Sequence, residues 1–327
     1  MAYVNGVATG SIDLWDELLD FLTTNTDLVT ASAAWVIEWT HPSGAAAGVV
    51  MRGPGAGGTD AIYIGMIRTD TTDTDNKAIT FYGMTGVNAA ALTMAGHVNV
   101  SAGVRIWLDG GSMKYWFVAN GRRFMLAVNM STVYQVAYAG FFLPYALPTV
   151  YPYPLFIGAC SSLSGTVTSW RSASPIHAAF PFAPYTNSLP FPSNAYMLGP
   201  DAIWKNAAGD SLASICMGPF RYDVVDSDGG NDFYLNFGSN GAQSSSGYLA
   251  VQERIMSGYG DTFALDPITL IQTDPGTQHH GVLDGFYVCS GIGNAAENMV
   301  QIASVDHLII QNVNRTTSMD YMAMKLE

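Results

Sequence analysis

The residues best suited to bind a cation lie in the acidic turn Asp226–Asp232 (DSDGGND). Carboxylates at alternating positions around glycines can converge on a hard cation such as Ca²⁺. In an EF-hand the twelfth residue of the loop is a bidentate acidic ligand. Counted from Asp226, the twelfth residue here is Phe237, so that ligand is missing. An acidic hairpin turn explains the same residues, because Asp and Gly tolerate unusual backbone dihedrals. The sequence favours the turn, and it predicts no metal site there or in the smaller cluster Asp70, Asp73 and Asp75.

Three short strings match catalytic or nucleotide-binding signatures in letters but lack the partners that the chemistry needs. Gly209–Leu212 (GDSL) matches an esterase signature with Ser211 as nucleophile, but no histidine of the chain has Asp three residues before it to supply the base. Gly291–Ala296 (GIGNAA) matches the dinucleotide fingerprint, but a β-rich run follows where a helix is required. Gly53–Thr59 lacks the Gly-Lys-Ser/Thr of a phosphate-binding loop. The sequence therefore predicts no catalytic residue and no cofactor.

The histidine pair and the cysteines do not form a metal-binding pattern. His279 and His280 are adjacent, so on a strand their side chains would point to opposite faces. Cys160, Cys216 and Cys289 are odd in number, widely spaced and set among apolar neighbours. This context predicts buried, reduced thiols rather than disulfides or a zinc site.

The charge balance of the 327-residue chain limits its partners. Only 12% of residues are charged, against about 25% in ordinary soluble domains. The net charge of −13 disfavours nucleic acid, whose phosphates need clustered Lys and Arg, and Arg122-Arg123 is the only basic doublet. A chain with so few charged residues has a weakly charged surface, which indicates burial in an assembly, since interface cores are depleted of charge. A neutral Ser, Thr and Asn surface is the alternative.

Targeting and membrane segments are not expected. The longest apolar region, Val133–Cys160, contains four prolines and no uninterrupted run of the roughly 18 to 20 residues that a span needs. We therefore interpret it as packed loop and short strand. The N-terminus has no basic cluster followed by an apolar core and a cleavage site, which indicates synthesis in the cytoplasm without secretion.

The last quarter of the chain predicts a sheet. Short runs rich in Val, Ile, Tyr, Phe and Met are separated by Gly, Asn, Asp or Ser, which is typical of strands joined by turns. The predicted strands are Val282–Ser290, Asn298–Ser304, His307–Val313 and Asp320–Leu326. Because such short connections cannot contain crossover helices, neighbouring strands should be antiparallel. In the last strand the period of two assigns a core face and a contact face, with Met322, Met324 and Leu326 on the first and Tyr321, Ala323 and Lys325 on the second.

The N-terminal segment predicts one amphipathic helix. Ser11 is a candidate N-cap, and Asp13 and the acidic residues after it suit the positive end of the helix dipole. The helix should end near Thr23–Asp27, in Thr and Asn residues that are poor helix formers. Its apolar stripe comprises Leu14, Leu18, Phe21 and Leu22, widened by Trp15 and Leu19. Packing against the chain's own sheet is favoured, and docking on a neighbouring subunit is the alternative.

The middle of the chain predicts further short strands. They are Trp35–Thr40, Gly48–Arg52, Ala61–Arg68, Ala78–Met84, Gly103–Leu108, Lys114–Ala119, Arg123–Met130, Ile215–Asp226, Asp232–Phe237 and Tyr248–Ile255. Asn120-Gly121 and Asp109–Gly111 are hairpin signals. The spacing predicts a mainly β fold of antiparallel sandwich or barrel-like sheets with one N-terminal helix. We divide the chain into an N-terminal helix and arm (1–27), a first β region (28–160) and a second β region (161–327).

Several strings resemble a family of tailed-bacteriophage virion structural proteins. They are Thr9–Ser11 (TGS) with Phe21–Asn25 (FLTTN), Tyr115–Phe124 (YWFVANGRRF), Gly140–Tyr145 (GFFLPY), Tyr151–Phe156 (YPYPLF), Asp284–Tyr287 (DGFY) and Gln311–Thr316 (QNVNRT) with Asp320-Tyr321. The resemblance implies a tail or baseplate component of the virion, present in several copies and in contact with itself and with other tail proteins. It supplies no catalytic residues, and 161–247 is the region that resembles the family least.

Two other functions follow from the residues themselves. A receptor- or glycan-binding module of the tail tip would use exposed aromatic residues between Tyr134 and Tyr196 to stack on sugar rings or to bury a host receptor loop. A glycosidase would use paired carboxylates, which are spatial rather than sequential neighbours. The sequence favours a non-enzymatic virion subunit that acts through subunit packing.

Overall fold

The described part of the chain is built almost entirely from antiparallel strands. The computed structural model describes residues 1–41, 46–55, 58, 60–70, 76–162, 195–206, 215–218, 222–225, 231–234, 265–272, 278–289, 291, 293–311 and 321–327. Two helices, α1 (Ser11–Thr24) and α2 (Thr26–Thr30), lie near the N-terminus, and Met94–Gly96 forms a 3₁₀ turn. This confirms the predicted fold class, a mainly β, sandwich-like chain with an N-terminal helix.

The strands are numbered in chain order. They are β1 (Ala2–Ala8), β2 (Val36–Thr40), β3 (Ala46–Gly53), β4 (Ile62–Thr69), β5 (Lys77–Met84), β6 (Val104–Leu108), β7 (Met113–Ala119), β8 (Arg123–Met130), β9 (Val133–Phe141), β10 (Leu143–Pro144), β11 (Leu155–Gly158), β12 (Ser161–Ser162), β13 (Ala195–Leu198), β14 (Trp204–Asn206), β15 (Ile215–Gly218), β16 (Tyr222–Val225), β17 (Asn231–Tyr234), β18 (Asp266–Gln272), β19 (Gln278–Cys289), β20 (Met299–Ile302), β21 (Val305–Gln311) and β22 (Tyr321–Lys325).

These strands form three large sheets and one two-stranded pair. The central sheet has the order β1-β7-β8-β9-β11-β13-β14. The outer sheet has the order β12-β6-β5-β4-β3-β2. The C-terminal sheet has the order β15-β18-β19-β22-β21-β20, with β10 also paired to β19, and β16 pairs with β17. Strands from both predicted β regions share sheets, since β12 pairs with β6 and β13 with β11.

The central sheet lies between the other two. Phe124 of β8 packs on Phe81 of the outer sheet, with ring centroids 6.1 Å apart. Tyr138 of β9 packs on Phe286 of the C-terminal sheet at 6.0 Å. Every residue of β8 and β9 is buried, because each face of these strands is covered by another sheet.

The double burial corrects the interpretation of Val133–Cys160 as packed loop and short strand. Its first part is the nine-residue strand β9, which lies in the interior of the protein. A strand covered on both faces has no polar alternation, so the period of two that marks a half-exposed strand is missing from its sequence.

The helix α1 covers one edge of the structure and packs on the chain's own strands β1, β2 and β7. Its predicted apolar stripe is confirmed, since Leu14, Leu18 and Phe21 are buried. The predicted N-cap is wrong: Gly10 occupies that position, and Ser11 is the first helical residue. The hydroxyl of Ser11 donates instead to the Asp70 carboxylate at 2.9 Å, so a tertiary contact replaces the local cap.

The predicted C-terminal strands are confirmed as β19, β20, β21 and β22. Met322, Met324 and Leu326 lie in the main core, as the period of two predicts. On the opposite face Ala323 is buried in a separate small cluster with Cys289, Val300 and Ile309. The predicted contact face is therefore partly covered by the chain itself.

The two hairpin signals have different outcomes. Asn120-Gly121 joins β7 to β8, and the Asn120 side-chain oxygen accepts the N–H groups of Arg122 and Arg123 at 2.8 and 3.0 Å. The Asp109–Gly111 hairpin is wrong, because β6 belongs to the outer sheet and β7 to the central sheet. Turn residues predict a change of chain direction, whereas the packing of layers decides which strands pair.

The predicted strands after residue 206 are observed in part. Within Ile215–Asp226 the structure has β15 and β16, and within Asp232–Phe237 it has most of β17. Tyr248–Ile255 lies outside the described residues.

The described part of the chain buries three histidines, and we expect the protein to lose stability in mild acid for that reason. Burial lowers the pKa of His97, His280 and His307. Below about pH 6.5 the unfolded chain therefore takes up protons that these folded side chains resist, and each adds a slope of up to about 1.4 kcal/mol per pH unit. We expect the urea midpoint to fall between pH 7.5 and 5.5 with an unchanged m-value.

The variant His97→Gln tests this origin of the pH dependence. His97 is 7% exposed and packs edge-on against Trp39, with ring centroids 4.7 Å apart. Since glutamine does not titrate, the variant should show a shallower pH dependence than the unaltered chain. An equal slope in both proteins would contradict the assignment.

Candidate functional site

Three of the motifs singled out in the sequence lie wholly or mainly outside the described residues. They are the GDSL string at Gly209–Leu212, Asp73 and Asp75 of the smaller acidic cluster, and residues 226–230 of the acidic turn. The remaining residues of that turn, Asn231 and Asp232, begin β17. Among the side chains that the structure describes, no group of three or more His, Cys, Asp or Glu is placed to hold a metal ion.

The glycine string Gly291–Ala296 leads into a turn rather than a helix. The Asn294 N–H donates to the Gly291 carbonyl at 3.1 Å, and the Asn298 N–H donates to Ala295 at 3.2 Å. The strand β20 begins immediately afterwards at Met299. The strand, loop and helix arrangement that binds a dinucleotide is therefore not formed by these residues.

The histidine and cysteine predictions agree with the described side chains. His279 is exposed while His280 is 6% exposed, so the two point to opposite sides of β19. Cys160 and Cys289 are buried free thiols, and burial raises the pKa of both. Buried thiols with a raised pKa are poor nucleophiles. The side chain of Cys216 lies outside the described residues.

The aromatic residues proposed as an exposed binding surface lie mainly in the core, so that prediction is wrong for most of the described ones. The buried ones are Tyr134, Tyr138, Phe141, Phe142, Tyr151 and Phe156. They belong to β9, to β11 and to the segments beside these strands, which lie between layers. Tyr153 and Tyr196 are partly exposed, and Tyr145 has 61% of its surface exposed.

A polar cleft lies where the central sheet meets the C-terminal sheet, and we call it the Glu297 cleft. Its volume is about 590 Å³. The start of β7, the β8–β9 turn and the loop before β20 form its walls. The residues that define its chemistry are Lys114, Asn129, Ser131, Thr132, Tyr134 and Glu297.

Three donors hold the Glu297 carboxylate. Oε1 accepts from Asn129 Nδ2 at 2.7 Å and from the Tyr134 hydroxyl at 3.0 Å. Oε2 accepts from Lys114 Nζ at 2.7 Å. Because β7, β8 and β9 each contribute one donor, adjacent strands of the central sheet fix the carboxylate from one side.

The backbone at the cleft is strained at two non-glycine residues. Glu297 has φ +68° and Ser131 has φ +61°, in the left-handed region that L-residues rarely adopt. Each costs on the order of 1–2 kcal/mol, and such residues persist only where the surroundings hold them. The Glu297 N–H is fixed by the Ile309 carbonyl at 2.9 Å. Strain of this kind is enriched at binding sites.

The ionisation states at the cleft favour binding over proton transfer. Burial acts to raise the pKa of the Glu297 carboxyl, but the hydrogen bonds from Lys114 and Tyr134 outweigh it and hold the pKa below its ordinary value. Burial, followed by the contact with Glu297, raises the pKa of Tyr134. Near neutral pH the carboxylate therefore stays charged and the phenol stays neutral. Glu297 is the sole carboxylate among the residues lining the cleft, so these residues lack the pair that glycoside hydrolysis uses.

Sequence reasoning missed this site. Glu297 lies one residue beyond Gly291–Ala296, a string whose letters match only a dinucleotide-binding motif. The donors Lys114, Asn129 and Tyr134 are 163 to 183 residues away in the chain. The available signal was a solitary acidic residue in a neutral stretch, which has no specificity of its own.

A second exposed feature is the segment Leu143–Val150 (LPYALPTV), which we call the apolar loop. It has no charged residue, and its large side chains point outward: Leu143, Tyr145, Leu147 and Val150 are 43%, 61%, 71% and 65% exposed. It links β10, which pairs with β19, to β11 in the central sheet.

The backbone of the apolar loop is well supported. The Tyr145 N–H donates to the His280 carbonyl at 2.9 Å, and the Tyr151 N–H donates to Leu147 at 2.9 Å. The Tyr151 hydroxyl donates to the Leu198 carbonyl. The loop therefore presents its apolar side chains from an ordered base.

No helix in the described part of the chain combines the length and the apolar character needed to cross a bilayer.

Comparison with models of known protein families gives no match, and comparison with curated proteins gives none.

Proposed function

We propose that this protein is a structural component of a tailed-bacteriophage virion, in the tail or baseplate, and that it acts by packing against copies of itself and other tail subunits. The observation that carries the proposal is the apolar loop. A surface segment with four outward-facing large apolar side chains and no charge is typical of a contact surface.

The physical chemistry of the loop suits subunit contact. Interface cores favour aromatic and aliphatic side chains and exclude charge, as this segment does. Its backbone is held by hydrogen bonds to β19 and within the loop. The loop would therefore lose little conformational entropy when a partner subunit binds to it. The low charge of the whole chain, 12% of residues, supports the same conclusion.

The strings that resemble virion proteins also support the proposal. Tyr115–Phe124 forms the β7–β8 hairpin, and Asp284–Tyr287 lies in β19 against the central sheet. Gly140–Tyr145 reaches the apolar loop itself. The resemblance therefore covers both the three-layer core and part of the proposed contact surface.

The charges of the protein give little support to nucleic-acid binding. The net charge is −13, and Arg123 of the basic doublet is fully buried. Phosphate recognition needs accessible, clustered cations.

The double variant Leu147→Asp with Val150→Asp tests the proposal. Both side chains are largely exposed, so the free energy of unfolding of the isolated chain should change by less than about 1 kcal/mol. Two carboxylates at a contact would be buried without partners, so copies incorporated per particle should fall at least about tenfold. Incorporation is measured by quantitative mass spectrometry of particles assembled with the variant chain.

The matched control is Leu92→Asp, which changes an equally exposed leucine, 73%, outside the apolar loop. It should incorporate like the unaltered chain. Normal incorporation of the double variant, or turnover of a generic ester or surface glycan by the purified chain, would overturn the proposal.

A further inference from the structure

We propose that the Glu297 cleft binds a neutral, hydroxyl-rich ligand, the vicinal diol of a hexose unit in a glycan. This inference goes beyond the assembly function, and it rests on the geometry of the cleft rather than on the apolar loop.

The charges of the cleft favour a neutral ligand. The Glu297 carboxylate is compensated by the Lys114 ammonium at 2.7 Å. An anionic ligand that approached Lys114 would meet the carboxylate at once, and a cationic ligand would meet the ammonium. A ligand without charge avoids both repulsions and still uses both groups as strong hydrogen-bond partners.

The unused hydrogen-bonding capacity matches a diol. A carboxylate offers about four acceptor sites, and three of those on Glu297 are engaged. Lys114 has three N–H donors, one of which is given to Glu297. One hydroxyl of a diol can donate to Oε2 while its neighbour accepts from Nζ. The separation of Oε2 and Nζ is close to the spacing of neighbouring hydroxyl oxygens on a pyranose ring.

The other residues that line the cleft also suit a sugar ring. Ser131 and Thr132 are exposed on the β8–β9 turn and carry hydroxyls, which both donate and accept. Val7 is 61% exposed and, with Ala296, supplies apolar surface for the C–H face of a sugar ring. A volume of about 590 Å³ lies within the range of small-molecule sites.

The strained residues belong to the same site. Glu297 and Ser131 both have positive φ, and they lie on separate segments that face one cleft. Each occupies a turn that takes a positive φ, Ser131 in the two-residue turn between β8 and β9 and Glu297 in the turn closed by the Asn298 N–H to the Ala295 carbonyl. These turns fix the positions of a rim hydroxyl and of the carboxylate.

The test uses the purified full chain and four probes: methyl α-glucoside, methyl α-mannoside, methyl α-galactoside and inorganic phosphate. Saturation-transfer NMR should detect at least one glycoside, with a Kd on the order of 1 mM, which corresponds to about −4.1 kcal/mol. Phosphate at the same concentration should neither bind nor displace it. The variants Glu297→Gln and Lys114→Met should each weaken glycoside binding about tenfold, because each removes a charged partner.

The matched control is Asp306→Asn, which changes an exposed carboxylate on β21 of the C-terminal sheet that accepts from Gln301 and does not line the cleft. It should bind the glycoside like the unaltered chain. Absence of transfer from all three glycosides, preferential binding of phosphate, or undiminished binding by both cleft variants would overturn the proposal. Because binding is measured on the isolated chain and incorporation on particles, failure of one proposal is distinguishable from failure of the other.

Discussion

Replacing Arg123 by methionine is expected to lower the free energy of unfolding by about 2–4 kcal/mol. The Arg123 side chain is fully buried, and its Nε donates to Asp284 Oδ2 at 2.9 Å. It joins β8 of the central sheet to β19 of the C-terminal sheet. Methionine keeps much of the apolar stem but leaves the Asp284 carboxylate without its cation. Since that carboxylate is 26% exposed, water recovers part of the loss, which places the estimate below that for a fully buried pair.

A second substitution tests whether the orphaned charge causes the loss. Adding Asp284→Asn to Arg123→Met removes the carboxylate that the first change leaves unpaired. The double variant should therefore recover at least about 1 kcal/mol relative to Arg123→Met alone, measured by urea denaturation. Strictly additive losses would show that the pair is not coupled and would contradict this account.

The neighbouring arginine provides the matched control. Arg122 is partly exposed, and its guanidinium lies 5.9 Å from the centre of the Phe141 ring. The variant Arg122→Met should cost less than about 1 kcal/mol. Two adjacent arginines would then differ several-fold in their effect, which follows from burial and not from residue type.

Replacing Gly140 by alanine is expected to cost about 2–5 kcal/mol. Gly140 has φ +135°, which alanine rarely adopts. An added Cβ would lie 2.5 Å from the Cα of Arg123 and closer still to the carbonyl oxygen of Arg122. Backbone atoms cannot rotate away as a side chain can, so β8 and β9 would have to separate where they pair. Urea denaturation of the variant measures the loss.

The control Gly293→Ala separates the two contributions. Gly293 also has positive φ, +75°, but nothing lies within 4 Å of an added Cβ. Its cost should be the conformational part alone, about 1–2 kcal/mol. If both variants lost the same stability, the close approach of β8 and β9 would carry no energetic weight and the prediction would be wrong.

The Arg123–Asp284 pair lies at the join between two layers, which the sequence did not reveal. Arg122-Arg123 is a basic doublet in the sequence, and sequence reasoning assigned it to the surface charge balance. The structure buries Arg123 entirely between two sheets and leaves Arg122 partly exposed. Arg123 is the first residue of β8 and its side chain reaches the C-terminal sheet, whereas Arg122 precedes the strand, in the β7–β8 turn. Only the packing of layers makes the position of Arg123 interior.

The assembly and glycan proposals place two functions on different surfaces. The apolar loop extends from β10, whereas the Glu297 cleft lies beside the β8–β9 turn. Assembly requires the loop to be covered, and ligand binding requires the cleft to remain open. The two features lie at opposite ends of β9, since the cleft adjoins Thr132 before the strand and the loop begins at Leu143 after it.

Local chemistry by itself determined the secondary structure of much of this protein. The helix stripe Leu14–Leu22, the Asn120-Gly121 turn and the alternation of Met322, Met324 and Leu326 are each properties of a few neighbouring residues, and each was predicted correctly. Helical and strand periods are short, so ten or fewer residues contain them.

Only the tertiary structure decided the layer order, the burial of β9 and the position of the Glu297 cleft. Each depends on contacts between residues far apart in the chain, such as Tyr134 with Glu297, 163 positions apart. A strand between two sheets loses its polar alternation, and a cleft whose donors come from three strands has no local spacing to detect. Burial and convergence are properties of packed layers, and they exist only once the sheets have come together.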